Sequence, residues 1–322
     1  MPQGSIYYAF GRLSVLEKTA LDSARLERLL HARDLAEARR VLAEVGFRED
    51  VHFEQAAEEH LMNACHLVRE LATDPKLVDA FLVRHDIANL KILLKARALG
   101  QEPEALSLCG IFPVDTLRHA VDEHLYDKLG DVLKAGLDAL EKRLAIKSDP
   151  MDIDVSLDKM HYAYVFDLLG KKKGTALTYF RTRVDLTNFS MALRAAHGEK
   201  PQSFLAGLLI DGGSVPPKIW LTEYARPERL PLQMQKYGPS LYASAVAAYM
   251  NADKLATFER DADDHLLQLF MPFRRSIDRD ERLIGHLLMR QRESAAVRLV
   301  MAGKENRFPE DIIRERLRGL YG

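Results

Sequence analysis

The feature that most constrains this 322-residue chain is an internal repetition of helical segments. Phe53-Glu54-x-x-Ala57-Glu58-Glu59-His60-Leu61 reads like Phe258-Glu259-x-x-Ala262-Asp263-Asp264-His265-Leu266, with a match at every specified position when Asp and Glu count as equivalent. A second pattern occurs three times, opening with an acid at Asp86, Asp185 and Glu293, at offsets of 99 and 108 residues. Apolar residues follow one, four and eight positions later, as Ile87/Leu90/Leu94 and Leu186/Phe189/Leu193; in Ser294/Val297/Met301 only Ser294 breaks the rule. Such spacing places side chains on one helix face. Asn89 and Asn188 share the face of their acids at i, i+3, where the last copy carries Ala296. Each copy precedes a Gly-containing turn, a proline (Pro113, Pro216, Pro309) and another helical run. Proline suits a first helical position, where its missing N–H would be unpaired anyway. The repetition predicts three related helical units of about 100 residues each, at 1–125, 126–225 and 226–322.

Helical grammar extends through the rest of the chain. Leu26, Leu29, Leu30 and Leu35 are followed by Ala38, Val41, Leu42 and Val45, mostly three and four apart. Asp34 and Glu37 form a start signal like a capping box, and Gly46 stands where a helix stop belongs. Alternating strand patterns of useful length are absent. The 18 glycines and 13 prolines cluster between helical runs as breakers. The expected fold class is all-α. The stretch from Trp220 to Tyr249, with Pro227, Pro231 and Pro239, is expected to be irregular.

Composition narrows the function classes. A net charge of −1 argues against a protein dominated by nucleic-acid backbone binding, which needs a basic excess. Two cysteines, Cys65 and Cys109, build neither a disulfide framework nor a zinc ribbon, and a reducing compartment is expected. The N-terminal stretch lacks the basic and apolar regions of a signal peptide. No segment reaches about 18 uncharged apolar residues, the length of a membrane span. A cytoplasmic protein is expected.

The repeat signature also supplies the candidate site residues: Asp86, Asn89, Asp185, Asn188, Glu293 and Lys304. A polar pair recurring in separate units is read as structural, holding a neighbouring helix end or loop, since a catalytic site is rarely duplicated in this way. His60 and His265 each follow two acids, but adjacent residues do not share a helix face, so the spacing is poor for a metal. His119 and His124, five apart, are no better placed. No His-Glu-x-x-His, phosphate-binding loop, Gly-x-Gly-x-x-Gly or Gly-x-Ser-x-Gly occurs. No catalytic residue, cofactor or metal is expected. Lys171-Lys172-Lys173-Gly174 and Arg314, Arg316 and Arg318 read as solvated helix ends, with acidic lipid or a partner as the competing reading. Cys65 and Cys109, among apolar neighbours, read as packing residues.

Taken together, these residues resemble a known family. Tyr8-Ala9-x-x-Arg12-Leu13-x-x-Leu16-Glu17 resembles the first helix of the C subunit of the A/V-type rotary ATPases, called the d subunit in eukaryotes. Asp86-x-x-Asn89-Leu90-Lys91-x-Leu93-Leu94-Lys95, Asp185-Leu186-x-Asn188, and Glu293 through Gly303-Lys304 to Pro309-x-x-x-Ile313-Arg314 are similar to the recurring elements of that family. The resemblance spans essentially the whole chain. It implies a non-enzymatic coupling part whose three units surround a pseudo-threefold axis as a funnel or socket. The implied partners are the D/F-type shaft subunits and the membrane proteolipid ring, with one copy per complex. Its implied place is the cytoplasmic face of the membrane, reached through protein contacts, in a complex that couples ATP to proton or sodium transport. The competing readings are a general helical scaffold, against which units near 100 residues count, since solenoid repeats run to about 33–47, and a helical enzyme, for which the sequence offers no constellation.

Overall fold

The computed structural model describes residues 6–103, 105–147, 149–171, 173–276 and 279–320. The described residues are helical with no strand, as the periodicity requires. In chain order the helices are α1 (Ile6–Glu17), α2 (Ser23–His31), α3 (Leu35–Ala43), α4 (Phe53–Leu71), α5 (Pro75–Leu99), α6 (Val114–Asp122), α7 (Asp131–Leu144) and α8 (Pro150–Leu169). They continue as α9 (Thr175–His197), α10 (Gln202–Leu208), α11 (Pro217–Tyr224), α12 (Pro239–Met250), α13 (Leu255–Gln268), α14 (Arg279–Glu305) and α15 (Glu310–Arg316). Packing divides the chain into two compact units, one of residues 1–78 with 263–322, the other of residues 79–262.

The first unit joins the two ends of the chain. Its core gathers Leu21, Leu29, Leu42 and Phe53 from the N-terminal side with Val297, Met301 and Ile313 from the C-terminal side. Burying each such side chain contributes roughly 1.5–3 kcal/mol. The two short helices of the N-terminal side start on aspartates: Asp22 accepts from the Arg25 amide and Asp34 from the Glu37 amide, both at 2.8 Å. The Glu37 carboxylate reaches back to the amide of Arg33, one residue before the N-cap, at 2.9 Å, so the start signal read in the sequence holds the start of α3 in a variant of the capping box. Gly46, at φ +90, stands just beyond α3 in a conformation costly for any residue with a Cβ. Gly303 lets α15 approach: a Cβ there would overlap the Ile313 side chain.

The second unit packs around aromatic residues. Phe81 of α5 meets Tyr179 and Phe180 of α9 at ring separations of 5.1 and 4.7 Å. Phe189 lies 4.6 Å from Phe258 and 6.5 Å from Trp220, all three buried. Helices α7 and α8 pack closely at Gly136, where a Cβ would overlap Met160. Lys91 and Lys95 of α5 reach Asp158 and Asp154 of α8, each at 2.7 Å. On α7 itself, Glu141 accepts from the Tyr126 hydroxyl, and Arg97 of α5 pairs with the same carboxylate at 2.7 Å. Burial opposes charge on Glu141, but these two donors outweigh it and hold the carboxyl below its ordinary range. The stretch expected to be irregular is so only in part. Pro227 and Pro231 remove the donors that an α-helix needs, and Pro227–Tyr237 forms 3-10 turns, whereas α11 and α12 on either side are regular.

Candidate functional site

The signature residues are not gathered into a cleft. They form three buried clamps, each tying a long helix to the backbone just ahead of a short one. Asp86 is fully buried on α5 and accepts from the Ile111 and Phe112 amides at 2.7 and 3.1 Å. One turn on, Asn89 makes a two-way bond with Ser107: its amide donates to the carbonyl at 2.8 Å, and its oxygen accepts from the N–H at 2.9 Å. On α9 the arrangement recurs. Asp185 accepts from the Ser214 and Val215 amides, each at 3.0 Å, and Asn188 makes the same two-way bond with Ile210 at 2.8 and 2.9 Å.

The two clamps share a register. Phe112 and Val215 each precede the N-cap proline of the next helix, Pro113 for α6 and Pro216 for α11. Ser107 and Ile210 each lie six residues before that cap. Gly110 and Gly213 lie three before it, and a Cβ on either would collide with the carboxylate of its clamp. Both glycines are therefore needed for close approach, and Gly-x-x-Pro is a signal that reading the helices alone passes over. A buried carboxylate accepting two amides stops a loop from leaving its helix, since each freed donor would stay unsatisfied at a cost of about 1–3 kcal/mol.

Asp185 takes two further donors, Lys236 Nζ at 3.0 Å and the Tyr237 hydroxyl at 2.5 Å. These bring the end of the 3-10 segment onto the clamp. Burial pushes the Tyr237 phenol well up, and the neighbouring carboxylate adds to the shift, so it stays a donor.

Glu293 on α14 has a partner that the sequence did not point to. The loop around Pro309 follows it in the chain, yet Glu293 accepts from the Leu21 amide at 2.9 Å, 272 residues away. Leu21 precedes Asp22, the N-cap of α2, just as Phe112 and Val215 precede theirs. Ala296 stands where an asparagine would complete the clamp. Its place is taken by Arg290, whose Nη2 donates at 2.8 Å to the carbonyl of Leu16, again six residues before the cap. Arg290 Nη1 also pairs with Glu293 at 2.7 Å, and His60 Nε2 of α4 lies 3.3 Å from the same carboxylate. Burial works against the Glu293 charge, but His60 and Arg290 overcome it and the carboxyl lies below its ordinary range. No close-fitting glycine is required here because Glu is one methylene longer than Asp. Lys304, last of the signature residues, donates to the Leu30 and Ala32 carbonyls at 2.6 and 2.7 Å and caps the C-terminus of α2.

Of the other candidates, His60 also stacks on Phe47 at 4.0 Å, Arg314 pairs with Glu27 and Arg318 with Asp263, each at 2.5 Å, and Cys65 and Cys109 are fully buried. Among the described residues no group of three or more His, Cys, Asp or Glu is placed to hold a metal ion, and no helix is long and apolar enough to cross a membrane. Lys172 lies outside the described residues.

Known proteins resemble this sequence over most of its length. The chain is 24% identical over 281 residues to the C subunit of the V-type sodium ATPase of Enterococcus hirae, covering 86% of this chain and 84% of that protein. It is 22% identical over 262 residues to the C subunit of the A-type ATP synthase of Methanococcoides burtonii, covering 75% of this chain and 70% of that protein. The family described as ATP synthase (C/AC39) subunit matches residues 9–316. With a match of that extent, the chain belongs to the ATP synthase (C/AC39) subunit family.

Proposed function

We propose that this chain is the central-stalk adaptor of an A/V-type rotary ATPase, joining the rotor shaft to the membrane proteolipid ring and carrying torque between them. The family match over residues 9–316 is the observation that carries this reading. The relatives are named as subunits of a sodium ATPase and of an ATP synthase, and a non-catalytic role in such a complex fits this chain. The shaft and ring subunits are its proposed partners, at the cytoplasmic face of the membrane.

The clamps suit the task physically. Torque loads an interface in shear, and loops that bear it must not slide along their helices. Asp86, Asp185 and Glu293 each hold a loop by buried charge-assisted bonds whose rupture strands donors. We further propose three related units arranged about a pseudo-threefold axis as a socket. The equal register of the three clamps supports this. It also favours counting α14 with α1–α4 as one unit closed through the chain ends, in place of a unit made of residues 226–322 alone.

The test is reconstitution. The purified chain is mixed with the shaft subunits and, separately, with detergent-solubilised proteolipid ring from the same organism, and complexes are resolved by size exclusion. The proposal expects a one-to-one complex with the shaft and retention on the ring. A folded chain that binds neither overturns it.

A further inference from the structure

The second unit holds a cationic cavity that the adaptor role does not use. Its volume is about 810 Å³, and Lys159, Lys171, Lys173 and Arg181 line it against a single acid, Asp211. Among the described residues Lys171, Lys173 and Arg181 have no acid in ion-pair reach. Four cations facing one acid in a chain of net charge −1 is a local concentration that mutual repulsion opposes unless an anion offsets it. The innermost cation, Lys159, is half-buried with Nζ on the Gly207 carbonyl at 2.5 Å. Burial disfavours its charge, Arg143 adds to this, and Asp211 restores only part.

The cavity also has an apolar wall. Phe166 and Leu177 line it, and Phe166 is seated on Gly212, where a Cβ would overlap its ring. Helix α9 starts beside the cations at Gly174, which supplies no side-chain cap, so its first amides add positive potential to a site already defined by the side chains. A volume of this size lies within the roughly 300–1,000 Å³ of small-molecule sites. The lining sets apolar side chains among the cations, Leu177 lying one turn from Arg181 on α9 and Phe166 facing the cavity from the helix that carries Lys159, which suits a ligand that combines phosphate charge with an apolar ring.

We infer that this cavity binds a soluble nucleoside polyphosphate, with its phosphates on Lys159, Lys171, Lys173 and Arg181 and its base against Phe166 and Leu177. The site is one of binding, with no bond made or broken.

Isothermal titration of the full chain with ATP, and separately with tripolyphosphate, tests this. Lys171→Glu/Lys173→Glu and Arg181→Glu change exposed residues, and retained helicity by circular dichroism certifies each fold. Arg33→Glu/Lys147→Glu is the control, changing two exposed cations that do not line the cavity. The expected result is one saturable site for ATP, tighter than for tripolyphosphate and weakened about tenfold or more by either cavity variant, since each variant removes charge-assisted bonds to the phosphates and puts carboxylates in their place. The control variant should stay within about twofold, because screened surface charges outside a site contribute little. No saturable binding, or equal weakening by the control, overturns the site. Equal affinity for ATP and tripolyphosphate overturns the role of the apolar wall. Binding confined to anionic phospholipid vesicles overturns the soluble ligand in favour of a membrane headgroup.

Discussion

Asp185→Asn is the sharpest probe of the clamps, because it changes one atom type and almost no volume. The carboxylate receives four donors: the Val215 amide on Oδ1, and the Ser214 amide, Lys236 and Tyr237 on Oδ2. Asparagine offers one oxygen and one NH2. In its better orientation the oxygen keeps the three donors on the Oδ2 side, and the NH2 is turned towards the Val215 N–H, donor against donor. That bond is buried, so losing it costs about 1–3 kcal/mol. Of the three surviving bonds, those from the Ser214 amide and the Tyr237 hydroxyl become neutral and that from the Lys236 ammonium loses its anionic partner, each weaker by about 0.5–1.5 kcal/mol. Lys236 is 37% exposed and recovers part of its share from water. The net expectation is a loss of about 3–5 kcal/mol, within the range for removing one partner of a buried charged pair. Urea unfolding followed by tryptophan emission reads this well, for Trp220 is the only tryptophan and lies fully buried on α11, the helix that the clamp positions. A loss below about 1 kcal/mol would show that the loop is held by other contacts and would refute the reasoning.

Three further outcomes follow from the same geometry. Ala296→Asn restores the residue found in the other two clamps, yet it should lower stability by about 1–3 kcal/mol in thermal unfolding, because Ala296 packs in the apolar core and Arg290 already holds the Leu16 carbonyl; a stabilised variant would refute the account of the substitution. His286 is held neutral by burial, down to about 3, so the unfolded chain binds the extra proton as pH falls from about 6.5 and stability drops by up to about 1.4 kcal/mol per pH unit. His161, also held at about 3 chiefly by burial, acts in the same direction, so His286→Leu should flatten the slope between pH 7 and pH 5 by about one proton and leave the His161 share, as read from urea midpoints at each pH. Cys65 and Cys109 should react with a thiol reagent only on unfolding, and a fast native phase would contradict their full burial.

Much of the fold could be read from local pattern. Three- and four-residue spacing, aspartate starts and glycine stops are short-range signals, and α2, α3, α5, α9 and α14 fall where these place them. The polar pairs were visible too, since Asp86/Asn89 and Asp185/Asn188 interrupt otherwise apolar faces. Their partners were less so. A carboxylate advertises that it needs donors without naming which loop supplies them, and Gly110 and Gly213 reveal their purpose only once the acid lies against them.

The boundary between local and long-range information is sharpest at Glu293. Its position in the repeat follows from the residues around it, and so does its helix. That it grips Leu21, with Arg290 standing in for a missing asparagine, depends on the first and last segments of the chain folding into one unit. Helical periodicity acts over a few residues and carries no record of which distant segment will fill a groove. That choice is made by packing: Leu21, Leu29 and Phe53 bury against Val297 and Met301, and the Leu21 amide is thereby brought to the carboxylate.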